Sequence, residues 1–124
     1  MSEILVSREV YDRLQQVMAS DPDGFCELYR DYLSDAQETL HALRTACHSR
    51  SSNEFRSKAH YLKSSSLVLG IKPVARCCAE MEELGRSAEF DTASAKLAEV
   101  QGLLMLVQAE LQQRLGPEVL PVAA

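Results

Sequence analysis

Residues 59–70 read Ala-His-Tyr-Leu-Lys-Ser-Ser-Ser-Leu-Val-Leu-Gly, and this stretch decides how the chain folds. An α-helix turns by about 100° per residue, so residues three or four positions apart share a face. The small and apolar residues that recur at this spacing, on the face that a helix buries in a bundle, are Phe55, Ala59, Leu62, Ser66 and Leu69. His60 lies about 140° from the centre of that face, which predicts an exposed imidazole.

The exposed flank of this predicted helix carries groups suited to phosphate chemistry. Lys63 and Ser64 follow His60 by three and four positions and Leu67 by seven, so all of them share its flank. A free imidazole titrates near neutral pH and has one unprotonated ring nitrogen, which can attack phosphorus. An ammonium group one turn away can balance the charge of a phosphoryl group. Taken by themselves, however, His60 and Lys63 favour an ordinary surface pair.

The rest of the chain predicts further helices and no strand. The predicted N-terminal positions are Ser7, Asp21, Ser51 in a capping box with Glu54, Pro73 in a first turn, and Asp91. The corresponding ends are predicted near Ala19, His48, Gly70, Arg86 and Gly116. This pattern predicts an all-α fold, an antiparallel up-down four-helix bundle with a short additional N-terminal helix. We expect a single domain at residues 1–117 and a mobile tail at 118–124.

Composition narrows the classes of function. The net charge of −5 argues against a nucleic-acid partner. The chain has neither an apolar run long enough to cross a membrane nor a signal peptide, so we expect no membrane association and a cytoplasmic location. The four cysteines are then expected to be reduced. His41, Cys47 and His48 are not spaced to converge on a metal ion, and no nucleotide-binding motif is present. We therefore expect no cofactor and no metal.

A wider motif surrounds His60. The matching positions are His60-x-Leu62-Lys63-x-Ser65-Ser66-x-x-Leu69-Gly70, then Cys78 and Leu84-Gly85-Arg86. This pattern resembles the signature of histidine-containing phosphotransfer (HPt) domains, the intermediate carriers of multistep two-component phosphorelays. The family usually has glycine directly after the lysine, where the missing side chain leaves room for a partner. Here that position is Ser64, which we expect to be tolerated because its hydroxyl can donate to a phosphoryl oxygen.

The resemblance implies a role for each site residue. His60 would accept a phosphoryl group from a receiver-domain aspartate and pass it to another, while Lys63 and Ser64 contact the phosphoryl group. Glu82, 22 positions after His60, is either an acceptor that orients the imidazole or a solvated glutamate at a helix edge. Tyr61 and Leu67 lie off the predicted buried face and are expected to contact the partner. Mg²⁺ would be held by the receiver domain.

The resemblance also implies the partners, namely response-regulator receiver domains and a hybrid histidine kinase. The protein would be a phosphoryl carrier, not an enzyme, and we expect a monomer. An alternative is a docking module that keeps the HPt fold but is not phosphorylated, an idea that the serine at position 64 keeps open. A bundle that holds a cofactor is a third hypothesis, which the sequence does not support because it lacks inward-facing histidines and an E-x-x-H set.

Overall fold

The computed structural model describes residues 5–119, and that part of the chain is almost entirely helical. The five α-helices are α1 Arg8–Val17, α2 Pro22–His48, α3 Ser52–Val68, α4 Lys72–Arg86 and α5 Phe90–Leu115. A short 3₁₀ helix, Pro117–Val119, follows α5. The prediction of an all-α fold is confirmed.

Four of the helices form the bundle. Packing contacts join α2 to α3, α3 to α4, α4 to α5 and α5 back to α2, so α3 lies diagonally opposite α5. The short α1 packs against α2. The predicted buried face of α3 is confirmed: Phe55, Ala59, Leu62, Ser66 and Leu69 are all buried. The same contacts leave one side of α3 facing solvent, and that side carries His60.

Four of the five predicted helix starts are confirmed, since Ser51 is the N-cap of α3 and Pro73 lies in the first turn of α4, as Ser7 and Asp21 precede α1 and α2. Ser7 accepts a hydrogen bond from the backbone N–H of Val10, and Asp21 accepts one from that of Gly24, as N-caps do. The predicted capping box at Ser51 is not formed, because the Ser51 side chain makes no capping hydrogen bond. Instead the neighbouring Ser52 hydroxyl donates to the carbonyl of Gly85, which ties the start of α3 to α4.

The start of α5 is also corrected. The sequence predicts Asp91 as its N-cap, but the N-cap is Glu89, two residues earlier, so the helix begins at Phe90 and Asp91 lies in the first turn. Phe90 is buried, and its ring packs edge-on against that of Phe55, with the ring centroids 6.0 Å apart. Burying this aromatic side chain favours an earlier start, and Asp91 remains where a carboxylate stabilises the helix dipole.

Gly85 lets α3 and α4 approach closely beside the candidate site. A Cβ atom added there would lie 2.9 Å from ring carbon Cδ2 of Phe55 and 2.9 Å from Cγ of Arg56. Because a larger residue would push the helices apart, this contact helps to set the level at which α4 faces His60 on α3.

Val119 is the last residue that the structure describes, and its side chain is buried. This residue belongs to the segment 118–124 that the sequence predicts as a mobile tail, while residues 120–124 lie outside the described part. Within residues 5–119, no helix combines the length and apolarity needed to cross a membrane.

Candidate functional site

The candidate site is centred on His60, which lies in the middle of α3 with 63% of its side chain exposed. Its ring nitrogen Nδ1 lies 3.4 Å from Oε2 of Glu82, which extends from α4. A proton on Nδ1 would be attracted to this carboxylate, and the lone pair would then be on Nε2. The geometry therefore suits an imidazole whose Nε2 is the reactive atom.

Glu82 contacts a second member of the site. Its other oxygen, Oε1, lies 2.6 Å from Nζ of Lys63, so one carboxylate joins the histidine and the lysine. The Glu82 side chain is only 17% exposed. The thiol of Cys78 lies in the core of the bundle, and burial is the main cause that raises its pKa to about 12, with the negative charge of Glu82 adding to the shift. The structure thus places Glu82 of α4 in contact with both His60 and Lys63 of α3, the three residues that the sequence predicts as members of the site.

The remaining predicted site residues lie around this group. Ser64 is exposed, one turn after His60. Leu67 is 53% exposed one turn further on, as expected for a residue on the same flank. Tyr61 is also exposed, but its hydroxyl donates a hydrogen bond to Oδ2 of Asp35 on α2, 2.6 Å away. Tyr61 therefore links the two helices as well as facing solvent.

Sequence reasoning missed three residues beside the site. Val68 at the end of α3 is 69% exposed, and Leu28 on α2 is another exposed apolar side chain. Asp35 is the partner of Tyr61. Val68 could have been found because it lies off the buried face of its helix, whereas Asp35 and Leu28 depend on how α2 is aligned with α3, which the sequence does not reveal.

The described residues contain no group of three histidine, cysteine or acidic side chains placed to hold a metal ion. His41 and His48 are both exposed on α2. All four cysteines are free thiols. The site is thus made of an imidazole, an ammonium group and a carboxylate within contact distance of one another.

Comparisons with known proteins agree with this geometry. The family model described as "Hpt domain" matches residues 27–115, from within α2 to the end of α5. The crystal structure of histidine-containing phosphotransfer protein B (HptB) from Pseudomonas aeruginosa PAO1 superimposes with a TM-score of 0.84. It is 26% identical in sequence, and the match covers 92% of this chain and 96% of that one.

A curated relative, multistep phosphorelay regulator 1 of Schizosaccharomyces pombe, is 27% identical over 82 residues. The match covers 65% of this chain and 28% of that protein, so the chain spans little more than a quarter of that relative. Hpt domains are phosphocarrier modules of phosphorelays and not kinases, and they act together with receiver domains and kinases. The extent of the family match and the bundle with its exposed histidine show that this chain belongs to the Hpt domain family.

Proposed function

We propose that this protein accepts a phosphoryl group from a receiver-domain aspartate on His60 and passes it to the aspartate of another receiver domain. The observation that carries the proposal is the contact between Nδ1 of His60 and Glu82 on an otherwise exposed ring. This contact supports a ring that carries its proton on Nδ1 and its lone pair on Nε2. Most of the remaining work is positioning, for which a helix in a packed bundle is well suited.

The transfer step proceeds by attack of the Nε2 lone pair on the phosphorus of the aspartyl phosphate. The new N–P bond forms as the bond between phosphorus and the aspartate oxygen breaks, and the aspartate leaves as a carboxylate. Nδ1 keeps its proton, so the ring of His60 becomes positively charged, and the Glu82 carboxylate at 3.4 Å stabilises that charge. The reverse reaction with a second receiver returns the ring to its neutral form.

Lys63 supplies positive charge for the phosphoryl oxygens. In the unphosphorylated protein its ammonium group is paired with Glu82, and a flexible side chain one turn from His60 can turn toward an added phosphoryl group. Ser64 lies on the same side and offers a hydroxyl donor. Mg²⁺ and the acidic pocket that holds it would belong to the receiver domain.

A phosphotransfer assay tests the assignment. The protein is mixed with ³²P-labelled phosphorylated receiver domains and Mg²⁺, and the expected result is a label that is labile in acid and stable in alkali. His60→Gln should remove this label, whereas His41→Gln, which changes another exposed helical histidine, should keep it. Equal labelling of His60→Gln and wild type would contradict the proposal.

A second candidate is an Hpt-fold docking module that binds a receiver without taking up phosphate. Ser64 favours it, because this exposed side chain stands beside His60 where the family usually has glycine. The Ser64→Gly variant separates the two functions. If wild type binds receivers without being labelled while Ser64→Gly is labelled, the protein is a docking module. If both proteins are labelled, the protein is a phosphoryl carrier. The difference between their labelling rates then measures the effect of the serine hydroxymethyl group.

The proposal extends to the setting of the protein. A hybrid histidine kinase would be the source of the phosphoryl group, and response-regulator receivers would be the partners on both sides of the transfer. We propose that the protein acts as a monomer in the cytoplasm. Sedimentation with and without the receiver would show whether one copy is enough.

A further inference from the structure

Exposed apolar side chains continue from His60 across the junction between α2 and α3. The alignment of these helices is fixed by two contacts: the Tyr32 hydroxyl lies 2.7 Å from Oγ of Ser66, and the Tyr29 hydroxyl donates to the carbonyl of Leu69 at 3.3 Å. Leu28 and Val68 are the chain neighbours of Tyr29 and Leu69, so they lie at the same level of the bundle. We call Leu28, Tyr61, Leu67 and Val68 the docking face; all four are exposed.

An acidic row borders the docking face on α2. Asp31, Asp35 and Glu38 follow one another at spacings of four and three, which places them on one side of the helix. That side faces α3, because Asp35 accepts the hydrogen bond from Tyr61. The same neighbourhood raises the pKa of the Tyr61 hydroxyl, first through that hydrogen bond and also through the charges of Asp35 and Glu38.

The ion pairs of the described residues beside His60 do not include the acidic row. Lys63 is paired with Glu82 on the other side of His60. Lys58 lies one turn before Tyr61 on α3, but within residues 5–119 no ion pair joins it to a member of the row. Asp31 and Glu38 likewise have no ion pair or hydrogen bond to another described side chain. The surface beside the phosphoacceptor is therefore apolar at its centre and negative along its α2 edge.

We infer that the acidic row selects receiver domains that present lysine or arginine opposite α2, around an apolar centre that covers the docking face. This inference rests on the proposed function, since it takes the receiver as the partner at His60. Charges at the rim of an interface mainly steer encounters and discriminate between partners, while the apolar centre supplies most of the affinity. A receiver with acidic residues at that rim would be repelled, so the row separates partners that share the same fold.

The test measures binding to each receiver domain encoded in the same genome, using the protein with the double substitution Asp31→Asn/Glu38→Gln. Asp35 is left in place because it holds Tyr61. The matched control is Glu89→Gln/Asp91→Asn, which removes the same charge at the start of α5. For the receiver that binds wild type most tightly, we expect the double variant to raise Kd by roughly threefold to tenfold at low salt, as for two rim ion pairs.

Salt provides a second measurement. Screening shortens the reach of charges from roughly 30 Å at about 0.01 M salt to roughly 3 Å at about 1 M. The difference between wild type and the double variant should therefore disappear at high salt, and the control should follow wild type throughout. Double-variant binding that equals or exceeds that of wild type at low salt would overturn the inference, as would the failure of every receiver to bind.

The outcomes separate this inference from the proposed function. If wild type is labelled on His60 but the double variant binds receivers as well as wild type does, phosphotransfer stands and the charge selection is wrong. If receivers bind through the acidic row but no label reaches His60, the docking chemistry stands and the proposed transfer is wrong. Asp31 and Glu38 are exposed on α2, and Glu89 and Asp91 are exposed at the start of α5. Thermal unfolding of each variant checks that the fold is kept.

Discussion

At the scale of single residues, Glu82 is the centre of the candidate site. One of its oxygens lies 3.4 Å from Nδ1 of His60 and the other 2.6 Å from Nζ of Lys63. The carboxylate can therefore fix the tautomer of the ring and hold the lysine one turn away until a phosphoryl group arrives. Once the ring is phosphorylated, the Lys63 ammonium group can pair with the phosphoryl group or with the Glu82 carboxylate. Glu82 remains beside the proton on Nδ1.

We predict that Glu82→Ala slows phosphoryl transfer to His60 by roughly tenfold, because the ring loses its orienting acceptor. The ¹⁵N chemical shifts of His60 should report a loss of the tautomer with the proton on Nδ1, which a merely structural change would not produce. Glu83→Ala is the control, since Glu83 is exposed and pairs with Arg86 instead. Unchanged tautomer shifts in Glu82→Ala would show that the carboxylate does not position the ring.

At the scale of helices, the junction of α2 and α3 depends on a buried hydrogen bond. The hydroxyls of Tyr32 and Ser66 lie 2.7 Å apart, and both side chains are buried. Each hydroxyl is therefore the hydrogen-bond partner of the other within the core. The bond also fixes the alignment that sets Leu28 level with Val68 and brings Tyr61 to Asp35.

We predict that Tyr32→Phe lowers the free energy of unfolding by about 1–3 kcal/mol, because the Ser66 hydroxyl is left buried without its partner. Ser66→Ala should have a similar effect through the Tyr32 hydroxyl. The double variant should lose less than the sum of the two, since both polar groups are then removed. Urea unfolding of the four proteins measures this coupling, and additive losses would contradict it.

Two helical glycines should respond in opposite ways to alanine. A Cβ at Gly102 on α5 would meet no atom within 4 Å, so Gly102→Ala should stabilise the protein by roughly 0.5–1 kcal/mol through helix propensity. At Gly85 the Cβ would press on the buried ring of Phe55, so Gly85→Ala should destabilise it by about 1–3 kcal/mol. Denaturant unfolding measures both changes, and a shift of the same sign in both would contradict this reading.

These helices also show what sequence patterns can and cannot predict. The apolar spacing of α3 predicted its buried face and the exposure of His60, because both depend only on the helical repeat. The ion pair of Lys63 with Glu82 and the bond from Tyr61 to Asp35 depend on the relative alignment of neighbouring helices, which no single helix determines. The hydrogen bond from Ser52 to a carbonyl of α4 likewise depends on that alignment.

At the scale of the whole molecule, packing four helices around one core buries groups that ionise readily once exposed. Burial is the main cause that raises the pKa of Tyr29 to about 12 and that of Tyr32 still further. Burial likewise raises the pKa of Cys77 to about 11 and that of Cys78 to about 12. In the unfolded chain these groups would ionise near their ordinary values of 9.0 for cysteine and 10.0 for tyrosine.

The folded state therefore holds these protons at pH values where the unfolded state has released them. Stability falls with rising pH wherever the folded state binds more protons, so the contribution of these groups is fully present below about pH 9 and is lost as the pH rises toward 12. Each proton released on unfolding lowers the free energy of unfolding by up to about 1.4 kcal/mol per pH unit.

We predict that the free energy of unfolding, measured with urea at a series of pH values, begins to fall near pH 9 and falls more steeply above pH 10. The thiols are the first groups to contribute, because their ordinary pKa is 9.0 against 10.0 for tyrosine. A Cys77→Ala/Cys78→Ala variant should be less stable than wild type below pH 9, where these thiols are protonated in both states, yet it should lose less stability between pH 9 and pH 10. If wild type and this variant lose the same free energy of unfolding between pH 9 and pH 10, Cys77 and Cys78 do not drive the first part of the alkaline transition.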